Sequence, residues 1–216
     1  MPNPLLAAVF VLTSQAAAAC DTALILAIDV SNSVDVAEYR LQVDGLADAL
    51  VDPEIVAAMV KGQVAIAIMQ WSGAERQVLT TAWVQIRTAA DATDLSLAAR
   101  TTPRAITLSD TAPAEAIYFA LDQFADAPAC RRHVIDISGD GTPNAGTDAR
   151  LARNLAQASG VTINGIAIEG MGQPISAYYR NALITRDGFV VTAQGHRDYH
   201  AAIHDKILRE LTIGIG

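Results

Sequence analysis

Short apolar runs alternate with amphipathic stretches along the chain from residue 20 onward. The apolar runs are continuous, which is typical of strands covered on both faces of a parallel sheet, and the stretches between them place apolar residues at helical spacing. The pattern predicts strands at 23–29, 63–71, 77–83, 132–138, 161–168 and 188–193, and helices at 35–50, 88–100, 113–125, 147–159, 176–183 and 197–211. Strand alternating with helix in this way predicts a doubly wound α/β domain with a mostly parallel sheet.

Two of the predicted helices begin with specific signals. Asp35, followed three residues later by Glu38, matches a capping box that opens the helix at 35–50, and Val36 is the first position of its apolar spacing. Pro113 is suited to the first turn of a later helix. The chain has no internal repeat and no low-complexity linker, and its 216 residues are enough for one domain with a full hydrophobic core.

The first nineteen residues carry no charged side chain. Their apolar run "LLAAVFVL" is too short to span a bilayer, and the alanines before Cys20 have the small side chains of a signal-peptide cleavage site. We therefore expect residues 1–19 to be a signal peptide and residues 20–216 to be an exported domain, in the periplasm or outside the cell. The alternative interpretation is a buried N-terminal helix.

The chain has two cysteines, Cys20 and Cys130. In an oxidising compartment an even count favours a disulfide. Two alternatives stay open: a lipid-modified Cys20, since small residues precede it, and two free thiols. Ala17 argues against lipid modification, because such signals usually have Leu at that position, and lipid modification would also leave Cys130 unpaired.

The charge balance narrows the choice of partner. The chain has 15 Lys and Arg against 23 Asp and Glu, a net charge of −8. This argues against nucleic acid or an anionic membrane surface as the main partner, because both bind basic patches. It suits a protein that holds a cation. With 51% hydrophobic and 18% charged residues, the composition is that of a globular protein and not of a disordered one.

Three polar clusters stand at predicted junctions between secondary-structure elements: "DVSNS" at 29–33, "TLSDTAP" at 107–113 and "SGDGTPN" at 138–144. They converge if the first and fourth strands are neighbours, as in the usual doubly wound order. Together they offer Asp29, Ser31, Ser33, Thr111 and Asp140. All five are hard oxygen donors without a thiol or an imidazole, which favours Mg²⁺, Mn²⁺ or Ca²⁺ over Zn²⁺ or copper.

At these positions the chain resembles von Willebrand factor type A domains and integrin I domains. "DVSNS" matches their D-x-S-x-S signature, and Thr111 in "DTAPAEAI" and Asp140 in "SGDG" match the other two positions of their metal-ion-dependent adhesion site. One residue departs from the family pattern: Ala114 stands where Gly is usual, so Thr107 is the reserve candidate for the threonine. The stretches "QWSG", "IDISGDG" and "INGIAI" are similar to those of a bacterial group of exported domains of this type, DUF1194.

The resemblance implies a fold and a mode of binding. The fold is a single doubly wound domain whose six-stranded, mostly parallel sheet has one antiparallel strand and helices on both faces. The implied ligands of a divalent cation, Mg²⁺ first and Mn²⁺ or Ca²⁺ as alternatives, are Asp29, Ser31, Ser33, Thr111 and Asp140. Waters complete the shell, and a carboxylate from a protein partner replaces one of them. The leading hypothesis is therefore an exported, non-enzymatic binding module that does not span a membrane.

Two other functions are compatible with the fold class. A metal-dependent hydrolase such as a phosphatase would use Asp29 as its nucleophile, but it needs a second carboxylate where Ser31 stands and a lysine for the phosphate. The chain's only lysines are Lys61 and Lys206, and neither stands at a predicted strand end. The other alternative is a structural domain whose metal site is never used by a partner.

The strand order of the family also bears on the cysteines. Cys20 precedes the first predicted strand and Cys130 the fourth, and these strands are neighbours in the family. The resemblance therefore implies that the two sulfurs meet at the edge of the sheet opposite the metal.

Other polar residues are expected to have ordinary roles. Asp136, inside the fourth predicted strand, is expected to contact a neighbouring strand or helix rather than to orient the metal loop. His196, His200 and His204 recur every four residues on the last predicted helix, where a solvated face is favoured over a zinc pair.

Overall fold

The computed structural model describes residues 20–170 and 174–213, so the predicted signal peptide at 1–19 lies outside the described part of the chain. The strands are β1 (Cys20–Asp29), β2 (Ala65–Trp71), β3 (Gln77–Gln85), β4 (Cys130–Gly139), β5 (Val161–Ile168) and β6 (Val190–Ala193). The helices are α1 (Val36–Leu50), α2 (Pro53–Gly62), α3 (Ala89–Thr101), α4 (Pro113–Gln123), α5 (Ala149–Ala158), α6 (Ile175–Tyr178) and α7 (Tyr199–Ile213). Short helical turns occur at Phe124–Asp126, Tyr179–Leu183 and His196–Asp198. No described helix combines the length and the apolar character needed to cross a bilayer.

The strands form a six-stranded sheet in the order β3-β2-β1-β4-β5-β6. β3 runs antiparallel to β2, and the other neighbouring pairs are parallel. This confirms the predicted α/β fold with one antiparallel strand. The order of connection reverses between β1 and β4, where ligands bind in doubly wound sheets. Asp29 ends β1 and Asp140 directly follows β4, so both stand at this position.

Helices cover both faces of the sheet, and alternate residues of β1 enter two separate cores. Leu24, Leu26 and Ile28 pack with residues of α1, α2, α3 and α7 on one face. Ile25 and Ala27 pack with residues of α4, α5 and α6 on the other face. Because both sets of side chains are buried, the strand is apolar along most of its length, which explains the continuous run in the sequence. The packed strand gives Asp29 a rigid position at its end.

The start of α1 agrees with the sequence in one respect and differs in another. The capping box of Asp35 and Glu38 is present as predicted. Val36, the first position of the predicted apolar spacing, is however 74% exposed. The buried face of the helix begins at Tyr39, because the first turn extends beyond the edge of the core.

The helix α2 is not among the predicted helices. Its start carries a local signal, since the Asp52 carboxylate accepts hydrogen bonds from the amides of Glu54 and Ile55 at 2.9 and 3.1 Å. Only three of its ten residues, Ile55, Met59 and Gly62, are buried. The short apolar face explains why its periodicity is weak.

The two cysteines form a disulfide, as predicted. Cys20 and Cys130 are paired in the register of β1 and β4, with their Cα atoms 4.4 Å apart. They stand at the start of both strands, and Asp29 stands at the opposite end of β1. A chain with this bond has no thiol on Cys20 to carry a lipid.

The charged residue inside β4 has a partner on the last helix. Asp136 contacts the ammonium group of Lys206, and both side chains are buried. Asp136 thus makes the structural contact expected of a charge in a central strand.

Candidate metal site

The loop after β1 turns three polar side chains toward one point. Asp29 is buried, and its Oδ1 accepts a hydrogen bond from the amide of Ser31 at 2.7 Å. The hydroxyl oxygens of Ser31 and Ser33 lie 3.1 Å apart. The alternate spacing of these residues in the sequence therefore becomes a compact set of three oxygen donors.

The loop after β4 brings a second carboxylate to the same place. The Ser33 hydroxyl donates a hydrogen bond to Asp140 Oδ1 at 2.6 Å. β4 pairs directly with β1, and this pairing joins two segments that are more than a hundred residues apart in the sequence.

Among the described residues, no Lys or Arg side chain forms an ion pair with Asp29 or Asp140. Burial raises the pKa of Asp29 to about 7, and the neighbouring charge of Asp140 adds to the rise. Asp29 Oδ2 is buried and has no hydrogen-bond partner among the described residues. A buried carboxylate oxygen without a donor is costly, and a cation bound between the two acids removes that cost. The residues present therefore fit a hard divalent cation.

Thr111 approaches from the loop before α4. Its amide donates a hydrogen bond to Asn144 Oδ1 at 2.8 Å, and its carbonyl accepts one from the Asn144 amide at 3.1 Å. A Cβ atom placed on Gly141 would lie 3.6 Å from Thr111 Oγ1 and 3.8 Å from Ser33 Oγ. The two hydroxyls therefore flank one position in space. The reserve candidate, Thr107, is exposed.

Residues that the sequence analysis did not select hold these loops in place. The buried Ser72 hydroxyl donates to the carbonyl of Asp110 at 2.7 Å, next to Thr111. Arg104 donates to the carbonyls of Val30 and Ser31 at 2.8 and 2.9 Å. Ser72 directly follows β2, and this position at a strand end could have identified it. Arg104 carries no comparable signal.

Gly139 leaves the room that the carboxylate of Asp29 needs. A Cβ atom at this position would lie 2.7 Å from Asp29 Oδ2 and 2.7 Å from the hydroxyl of Tyr179. Burial holds the pKa of Tyr179 well above its usual range, and the charge of Asp29 adds to this effect. The Tyr179 hydroxyl therefore stays protonated.

His196 lies against the site, contrary to the expectation of a solvated face. It belongs to the short turn before α7, and its side chain is only 9% exposed. Its Nδ1 is 3.1 Å from Glu38 Oε1, and its Nε2 is 3.9 Å from Asp140 Oδ2. The expectation was wrong for His196 because the turn folds over the start of α1. It holds for His200, whose side chain is 61% exposed.

Two of the candidate ligands, Ser33 and Thr111, line a surface cleft of about 470 Å³. The cleft is lined by Asn32, Ser33, Leu108, Ser109, Asp110, Thr111 and Asn144. Leu108 is 88% exposed and has a left-handed backbone, with φ of 52°. A large apolar side chain thus stands in solvent beside the oxygen donors.

Comparison with known proteins identifies the family and the fold. A family model described as "Protein of unknown function (DUF1194)" matches residues 19–214. Among curated proteins, no sequence matches the chain.

Three solved structures show the fold. One is proximal thread matrix protein 1 from the mussel byssus with a zinc-occupied MIDAS motif, which is 16% identical to this chain and superposes with a TM-score of 0.66. The match covers 90% of this chain and 47% of that chain. A von Willebrand factor type A protein from Catenulispora acidiphila is 16% identical and has a TM-score of 0.61. This match covers 92% of this chain and 43% of that chain. The vWF domain of the type V pili tip protein Mfa5 from Porphyromonas gingivalis is 14% identical and has a TM-score of 0.63. This match covers 93% of this chain and 98% of that chain. The chain thus spans less than half of the mussel protein.

Proposed function

This chain belongs to the DUF1194 family and has a von Willebrand factor type A fold, and we propose that it is a binding module that holds a divalent cation. The proposed ligands are Asp29, Ser31, Ser33, Thr111 and Asp140. The observation that carries the proposal is the pair of acids at the ends of β1 and β4. Asp29 Oδ2 is buried there without a hydrogen-bond partner among the described residues, beside the charge of Asp140.

The donors indicate the class of cation. Two carboxylates and three hydroxyls are hard oxygen ligands, which favours Mg²⁺, with Mn²⁺ and Ca²⁺ as alternatives. The ion would supply positive charge that an acidic partner can bind. On a chain with a net charge of −8, the ion would offset the repulsion that an approaching acidic group meets.

The proposed partner is a protein that presents an Asp or Glu side chain. The cleft beside Ser33 and Thr111 is open to solvent, so a carboxylate can reach the cation from outside. Leu108 stands at its wall and would contact an apolar group next to that carboxylate. The module would then combine one ionic contact with one apolar contact.

We propose that the domain is not an enzyme. A phosphatase would need a lysine beside Asp29, and Lys206 is buried against Asp136 instead. Lys61 lies in the last turn of α2, which is not one of the elements that form the candidate site. These placements argue against the hydrolase alternative.

Export is part of the proposal. The Cys20–Cys130 disulfide is the kind of bond that persists in an oxidising compartment. Together with the signal peptide expected at 1–19, it supports a location in the periplasm or outside the cell.

Cation titration tests the first step. Calorimetry on metal-stripped protein should show uptake of Mg²⁺ or Mn²⁺, and Asp29→Asn should lose more than the roughly 10–100-fold in affinity that follows removal of an outer-shell partner. The matched control is Asp94→Asn, at an exposed aspartate on α3, which should bind as the wild type does. Absence of uptake by the wild type, or unchanged uptake by Asp29→Asn, would refute the site.

Peptide binding tests the second step. Immobilised peptides that carry one Asp or Glu beside an apolar residue should retain the protein in Mg²⁺ and release it in EDTA. Their Asn or Gln counterparts should not retain it under either condition. Equal retention of acidic and amide peptides would show that the cation does not recognise a carboxylate.

A further inference from the structure

We propose that Glu38, Asp140 and His196 form a second cation site, for a transition-metal ion such as Zn²⁺, next to the first one. The two sites would share the Asp140 carboxylate. The inference extends the proposed function because Asp140 serves in both, but it stands on a different group of contacts.

The three residues come from distant parts of the fold. Glu38 lies in the first turn of α1, Asp140 follows β4, and His196 lies in the turn before α7. One ligand atom from each residue can be chosen so that all three atoms lie within 4.8 Å of one another. This spacing is close enough for one metal ion to contact all three after small side-chain adjustments.

The imidazole of His196 points to a ligand. Its side chain is more than nine-tenths buried, and its Nε2 has no hydrogen-bond partner among the described residues. That nitrogen faces Asp140 Oδ2 at 3.9 Å, which is too long for a hydrogen bond. Leaving a buried ring nitrogen unpaired is costly, and an ion between the nitrogen and the carboxylate satisfies both.

In both carboxylates, the oxygen that lies away from His196 already accepts a hydrogen bond, which fixes the orientation of the group. Glu38 Oε2 accepts the hydrogen bond of the Asp35 amide at 2.8 Å, which leaves Oε1 at the His196 ring, 3.1 Å from Nδ1. Asp140 Oδ1 accepts the hydrogen bond of Ser33, which leaves Oδ2 toward the same ring. Hydrogen bonds of this kind fix the direction in which a ligand atom points. The second site is therefore pre-organised by the capping box of α1 and by the first site.

The donor set separates the two sites chemically. The first site has oxygen donors alone, whereas the second has one imidazole nitrogen and two carboxylate oxygens. Imidazole favours Zn²⁺, Cu²⁺, Fe²⁺ or Ni²⁺ over Mg²⁺. Glu38 and His196 also line a surface cleft between α1 and the turn before α7, so water or a partner group can complete the coordination.

Zinc stoichiometry tests the proposal. Metal-stripped wild type should take up about two Zn²⁺ per chain, measured by calorimetry and elemental analysis, since Zn²⁺ also accepts oxygen ligands. His196→Gln and Glu38→Gln should take up about one, and Glu38→Gln keeps an acceptor for the capping box. The matched control is His200→Gln, at an exposed histidine one turn further on, which should keep both ions.

A direct readout keeps the test independent of stability. In protein labelled with ¹⁵N at histidine, the ring nitrogen resonances of His196 should shift on addition of Zn²⁺, and those of His200 should not. Thr111→Ala, which removes a candidate ligand that makes no hydrogen bond to Asp140, should weaken the first site and leave the His196 shift in place.

The outcomes distinguish the two proposals. If His196→Gln loses one Zn²⁺ ion and Thr111→Ala keeps that ion, the second site is supported, whatever happens at the first. If the wild type takes up a single ion that Thr111→Ala loses and His196→Gln keeps, the second site is overturned and the proposed function stays intact. Unshifted His196 resonances in zinc-saturated wild type also overturn it.

Discussion

At the scale of single residues, Gly139 shows how little space separates the groups of the candidate site. We predict that Gly139→Ala lowers Mg²⁺ affinity at least about tenfold although it removes no ligand, because its Cβ atom would overlap Asp29 Oδ2 at 2.7 Å. Calorimetry measures the affinity, and Gly170→Ala is the control because a Cβ atom there meets no atom within 4 Å. Wild-type affinity in Gly139→Ala would mean that the carboxylate does not occupy this position.

Leu108 shows a conflict between stability and binding at the same scale. A residue with a Cβ atom pays about 1–2 kcal/mol for a left-handed backbone, and Asn tolerates this conformation better than Leu does. Leu108→Asn should therefore raise the free energy of unfolding by about 0.5–1 kcal/mol, because the 88% exposed side chain gives up little buried surface.

Urea denaturation measures this change. The control is Leu97→Asn, at a 60% exposed leucine on the helix α3, where Asn should destabilise slightly. Retention on acidic peptides should fall in Leu108→Asn, because the apolar contact is lost. A destabilised Leu108→Asn protein would contradict the argument from the backbone.

At the scale of elements, buried charges join α7 to the sheet. Lys206 on α7 contacts Asp136 of β4, and Glu210 on α7 contacts Arg132 of β4 and Asn164 of β5. In this chain, displacement of α7 along the sheet would separate these buried groups, which is costly. We therefore expect hydrogen exchange of the α7 amides to be the same with and without Mg²⁺.

Lys206→Met measures what the charge cluster contributes. The substitution leaves the carboxylate of Asp136 buried without its partner, so the free energy of unfolding should fall by about 3–5 kcal/mol. Lys61→Met, at the exposed lysine of α2, should change it by less than about 0.5 kcal/mol. Asp136→Asn combined with Lys206→Met should cost less than the sum of the single changes. Equal effects of Lys206→Met and Lys61→Met would show that the pair adds no stability.

At the scale of the whole molecule, the disulfide and the metal site lie at opposite ends of β1 and β4. The bond closes a loop with a sequence separation of 110 residues, so replacing both cysteines by serine should lower the free energy of unfolding by about 3–4 kcal/mol. Mg²⁺ affinity of the folded variant should stay within about threefold of wild type, because no candidate ligand is near the bond. Urea denaturation and calorimetry measure the two quantities. A large loss of affinity with unchanged stability would contradict the separation of these roles.

Features that depend on neighbours along the chain could be predicted from the amino-acid sequence. The continuous apolar run at 23–29 specified a strand buried on both faces, and Asp35 with Glu38 specified the start of α1. The alternate spacing of Asp29, Ser31 and Ser33 indicated one set of donors. Each of these is encoded within a few residues, where periodicity and capping act directly.

Contacts between distant residues depend on tertiary packing, and a local pattern predicts them only through the expected fold. Asp140 reaches Ser33 because β4 pairs with β1, and this pairing follows from the doubly wound strand order and not from periodicity. The sequence placed His196 on a solvated helix face, but the turn before α7 buries it against Glu38 and Asp140. The physical reason is that such contacts depend on how whole elements pack, and packing joins residues that no local pattern relates.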